Sequence, residues 1–167
     1  MNIPDTLLGE EWYWAAWVVW LVFFARSLWR APWSRLKDSE QLNVWFGMIV
    51  LLTLLWSLKA GVKPGLAFHL LGATVFTLSF GPYLAFIGLS LVTLGITLNG
   101  AAGPFAYAAN ALLLGGLGVG FSQLFYSLLS RFLPRHFFVY IFVNGFFGAT
   151  ITTIYVSFSL TLFFALS

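Results

Sequence analysis

The chain has 167 residues, 60% of them hydrophobic and only 8% charged, with a formal charge of +3 and a mean hydropathy of +0.93. A soluble domain carries roughly 25% charged residues, so this composition excludes a water-soluble globule and predicts an integral membrane protein. Eight Lys and Arg read as topology signals rather than a nucleic-acid surface, and the lack of cysteine excludes disulfides and thiolate metal sites.

The chain opens Met1-Asn2-Ile3-Pro4-Asp5. A secretory signal needs a basic stretch before its apolar run. Here Asp5, Glu10 and Glu11 come first, so the first residues are expected to persist in the mature chain. The first apolar segment covers residues 12–29, with Arg26 and Arg30 at its far end. Residues 30–41 form the one clearly polar stretch, where Pro32 breaks the helix. The second segment covers residues 42–58, and Gly61-Val62-Lys63-Pro64-Gly65 reads as a turn.

The third segment, residues 66–80, is shorter than the ~20 residues of a usual spanning helix. It is expected to start below the surface, in a protein-lined cavity. Gly81-Pro82 closes it. The fourth covers residues 83–98, followed by a turn at Asn99-Gly100-Ala101-Ala102-Gly103-Pro104. The fifth covers 107–129 and stops at Arg131, Pro134, Arg135 and His136. The last, residues 137–167, carries no charge and is longer than one upright helix.

The fold expected is therefore an all-α, polytopic transmembrane bundle of about six segments, one integral membrane domain over residues 1–167. If the segments alternate, Arg26, Arg30, Arg35, Lys37, Arg131 and Arg135 share one side, against Lys59 and Lys63 on the other. That bias places the larger group in the cytoplasm and the N-terminus on the outer face. Trp12, Trp14, Trp29 and Trp33 lie near span ends, as an interfacial aromatic belt does.

His69 is the sharpest single residue. A histidine inside a membrane segment is costly and marks a candidate functional site, although a hydrogen bond to a neighbouring helix or a turn carbonyl is the alternative. Two crossings return His69 to the side where Met1 lies, and an amine beside an imidazole can hold a metal ion. Gly116 and Gly120 form a GxxxG spacing that allows close helix approach. The run Gly115-Gly116-Leu117-Gly118-Val119-Gly120 lacks the lysine and spacing of a phosphate loop. No catalytic constellation is visible, so the chain is not expected to be an enzyme.

Several motifs together resemble one family. Met1-Asn2-Ile3-Pro4-Asp5 is similar to the M-H-I-P-D start of the CbiM/NikM family, the substrate-capturing membrane components of energy-coupling factor transporters for cobalt and nickel. His69-Leu70-Leu71-Gly72 with Gly81-Pro82 resembles its H-L-L-G…G-P segment. Ala108-Ala109-Asn110 resembles its A-N element, and Phe163-Phe164-Ala165-Leu166-Ser167 the end of its sixth helix.

The resemblance implies a divalent transition metal, Ni or Co, as substrate, with no permanently bound cofactor. The ligands it implies are the amine of Met1, the backbone nitrogen of residue 2 and the ring of His69, with Asn110 beside the metal-bearing loop. Asn2 stands where the family has a second imidazole, and a neutral amide is a poor ligand beside imidazole. The implied partners are other integral membrane subunits, a coupling protein and an ATPase, within a lipid bilayer and without nucleic acid. The implied location is the cytoplasmic (inner) membrane of a prokaryote. Family members continue past residue 167 with a further helix, so a shortened or incomplete chain is expected. The alternative is a ligand-free, transporter-derived scaffold or accessory subunit in a larger membrane complex.

Overall fold

The computed structural model describes residues 9–57, 65–100 and 102–132, with isolated positions 150, 151, 154 and 158; for 65–71 and 129–132 it describes the backbone alone. Among the described residues every regular element is helical. These elements are α1 (Glu10–Arg30), a 3-10 turn (Trp33–Lys37), α2 (Ser39–Ser57), α3 (Gly65–Phe80), α4 (Pro82–Leu98), α5 (Tyr107–Asn110), a π-helical stretch (Ala111–Leu117) and α6 (Gly118–Phe132). Five of the six expected apolar segments coincide with these helices. The sixth lies outside the described residues except for Thr150, Ile151, Ile154 and Phe158, each helical.

Two helical runs, Ser39–Ser57 and Tyr107–Leu128, are long and apolar enough to cross a membrane. The exposure pattern fits a lipid solvent. On α1 the buried residues Tyr13, Trp20 and Ser27 recur every seven positions, and on α2 Trp45, Ile49, Leu52 and Trp56 form one stripe. The opposite faces are also apolar: Trp14, Val18 and Val22 on α1, and Phe46, Val50 and Leu54 on α2, are all exposed. A water-facing helix would put charge there.

The 17-residue α4 is the bundle's axis, touching α1, α2, α3, α5 and α6. Gly81, at φ +82°, takes a conformation that favours glycine and hands the chain to Pro82 at the start of α4. Small residues let the helices close on this axis. A Cβ at Gly88 would overlap the ring of Phe76, and one at Gly95 would come within 2.8 Å of Thr53. Hydroxyls inside the bundle are satisfied locally: Thr53, Thr77, Thr93 and Thr97 each donate to the carbonyl four residues earlier.

These contacts order the two ends of the bundle. Trp45 Nε1 donates to the Leu84 carbonyl, while Thr53 faces Gly95, so α2 and α4 run parallel. Gly72 of α3 faces Leu52, while Phe76 stacks on Trp45 at 6.4 Å, so α3 runs against α2. Trp20 of α1 reaches Ser90 of α4, and Tyr13 packs on Ala106 and Ala109. The start of α1, the end of α2, the start of α3 and the residues after α4 therefore share one end, acidic through Glu10 and Glu11. The other end holds Arg26, Arg30 and the 3-10 turn with Arg35 and Lys37.

Candidate metal-capture site

His69 lies in the second turn of α3, at the acidic end of the bundle. Met1 and Asn2 lie outside the described residues, as do Lys59 and Lys63; the described chain begins at Gly9. Gly9 enters α1 with its carbonyl accepting from Trp12 N–H at 3.0 Å. Glu10 and Glu11 follow in the first helical turn, where the helix dipole favours negative charge.

At this end a cavity of about 600 Å³ opens, walled by Glu10, Tyr13, Trp14, Trp17, Pro104 and Phe105. Its surface is mostly aromatic, with one carboxylate. Among the described residues no three His, Cys, Asp or Glu side chains converge on a point.

An aromatic cluster floors the region. Trp17, Trp20 and Tyr107 meet pairwise with ring centroids 5.2–5.6 Å apart. Trp20 Nε1 donates to Ser90 Oγ at 3.3 Å, and the Tyr107 hydroxyl donates to the Ser90 carbonyl at 3.2 Å. The indole and phenol dipoles are paired inside the bundle, so the rings are held in fixed orientation. These residues were not singled out in the sequence, since Trp20 and Tyr107 reach Ser90 from 70 and 17 positions away.

Asn110 closes α5 at 1% exposure, buried where α5 packs on α1 and α4. It immediately precedes the π-helical stretch, in which regular α-helical spacing is lost. Of the glycines there, Gly115 and Gly116 approach Leu89 and Phe86 of α4, whereas a Cβ at Gly120 would meet nothing within 4 Å.

Compared with known proteins, the chain matches a family model described as the cobalt uptake substrate-specific transmembrane region, CbiM, over residues 2–167. No curated protein and no solved structure matches it. Members of this transporter family are membrane components that work in complexes with other membrane subunits; it is not an enzyme class. The chain belongs to the CbiM family of cobalt-uptake transmembrane components.

Proposed function

We propose that this chain is the substrate-capturing component of an energy-coupling factor transporter for Ni²⁺ or Co²⁺. The observation that supports the reading is the family match over residues 2–167, together with the position of the His69-bearing turn of α3 at the same end of the bundle as the start of α1 and an open cavity. In this reading the Met1 amine, the Asn2 backbone nitrogen and the His69 imidazole hold the ion, and residues 1–8 close the cavity over it. Nitrogen donors suit both metals. Glu10 and Glu11 set a negative field that draws a dication inward and opposes Lys59 and Lys63. The acidic end faces outward, because six of the eight basic residues belong to the opposite side. A coupling protein and an ATPase supply the energy in the inner membrane of a prokaryote, and Asn110 borders the loop that carries the site.

Asn2 favours a second reading, a scaffold that no longer binds metal, because one imidazole is missing from the ligand set. Cellular uptake separates the two. Cells expressing the chain with its coupling subunits should accumulate radioactive cobalt or nickel above a His69→Ala control. Equal accumulation in both supports the scaffold.

A further inference from the structure

A second, largely apolar groove runs along the membrane-facing seam between α1 and the π-helical stretch. It has a volume of about 510 Å³, with Val19 and Phe23 on one wall and Leu112, Gly116 and Gly120 on the other. Toward the acidic end a smaller hollow shares Val19 and Leu112 with it and reaches Trp12. The groove is lengthwise and lacks polar side chains until its foot, where Ser27 and Tyr83 lie beside Pro82. Gly120 keeps it deep, since no atom lies within 4 Å of where its Cβ would be.

The foot is also where positive charge is aligned with the groove. Arg26 and Arg30 follow Val19 and Phe23 by seven residues, so each lies on the same helix face two turns further on, about 10 Å along the axis. Both are exposed, and among the described residues neither takes part in an ion pair. Asp38 and Glu40 lie at the same end of the bundle, at the start of α2, where Asp38 accepts from the Glu40 N–H at 3.1 Å. The site is thus amphipathic: an apolar channel whose own helix α1 carries a cationic pair, Arg26 and Arg30, just beyond its foot.

We infer that this groove binds an anionic phospholipid, with an acyl chain along Val19, Phe23 and Gly116–Gly120 and the phosphate on Arg26 and Arg30. The match is one of polarity. A lipid has one long apolar part needing no hydrogen bonds and one anionic head, and basic pockets between transmembrane helices are suited to such heads. Ser27 and Tyr83 sit where glycerol and ester oxygens pass from the apolar to the charged zone.

The test uses full-length protein purified in detergent, supplied with equal amounts of phosphatidylglycerol and phosphatidylethanolamine, with retained lipid read by native mass spectrometry. Wild type should retain phosphatidylglycerol preferentially. Each arginine replaced by glutamine should lower that retention about fivefold, while Arg26→Lys/Arg30→Lys keeps the preference. Gly120→Leu should displace lipid of either kind by filling the groove. Equal retention of both lipids by wild type, or retention unchanged by both the double glutamine variant and Gly120→Leu, overturns the assignment. So does crosslinking of a cysteine at Gly120 to another polypeptide in the membrane, which would make the groove a helix-docking surface.

Discussion

Trp20 of α1 and Tyr107 of α5 meet edge to face, with ring centroids 5.2 Å apart, and both hydrogen-bond to Ser90 of α4. Three helices are thereby tied at one residue, directly beneath the cavity at the acidic end. In a bilayer the helices gain little from the hydrophobic effect on packing together, so such polar and aromatic contacts carry much of their mutual orientation.

Replacing Tyr107 with Phe keeps the ring contacts and removes only the bond to the Ser90 carbonyl. The expected loss is about 1 kcal/mol, in the range of interhelical hydrogen bonds in membranes. Thermal unfolding in detergent should move down by about 2–4 °C. Tyr107→Ala, which also removes the ring from Trp17 and Trp20, should cost several times more.

Gly88 and Gly47 provide a matched pair. Gly88 faces the Phe76 ring with no space for a side chain, while nothing lies within 4 Å of a Cβ at Gly47. Gly88→Val should destabilise by at least the 1–3 kcal/mol of an overpacked core and broaden or abolish the monodisperse peak in size-exclusion chromatography. Gly47→Ala should leave the profile and unfolding temperature unchanged or slightly raised, because alanine favours the helix over glycine.

The absence of native cysteine makes topology directly measurable. Glu11→Cys, at the start of α1, and Ser34→Cys, in the 3-10 turn, lie at opposite ends of the bundle. A membrane-impermeant thiol reagent applied to intact cells should label Glu11→Cys and reach Ser34→Cys only after permeabilisation. The reverse pattern would invert the orientation.

Much of this architecture was legible because lipid and protein interior demand similar side chains, which left long apolar runs bounded by charge and Gly-Pro breaks. The breaks at Pro32 and Gly81-Pro82, and the bounds of α3 and α4, fall where composition put them. The same similarity hid the internal faces: in α2 nothing in composition separates buried Leu52 from exposed Leu54. The π-helical stretch at Ala111–Leu117 was not read from the sequence, whose apolar run there continues without a break. Of the glycines in and after it, Gly115 and Gly116 lie against α4, while a Cβ at Gly120 would meet nothing within 4 Å. The position of the His69-bearing turn at the end of the bundle where α1 begins was readable. The Trp20–Ser90–Tyr107 cluster was not, because it joins residues 70 and 17 positions apart through space.

Metal affinity should depend on pH with a definite sign. The amine of Met1 and the ring of His69 must both be unprotonated to bind. Affinity should therefore fall steadily as pH drops, because protons compete with the metal for each nitrogen. Calorimetric titrations with nickel between pH 8.5 and 5.5 read this slope directly.

The central claim rests on metal held by the N-terminus and His69, and stoichiometric metal binding by protein with an untagged N-terminus tests it most directly. Calorimetry and elemental analysis should find nickel or cobalt bound to the wild type, none bound to His69→Ala, and tighter binding in Asn2→His, where the second imidazole is restored. If wild type and Asn2→His both purify without stoichiometric metal and His69→Ala behaves identically, His69 is a packing residue and the metal-capture account is wrong.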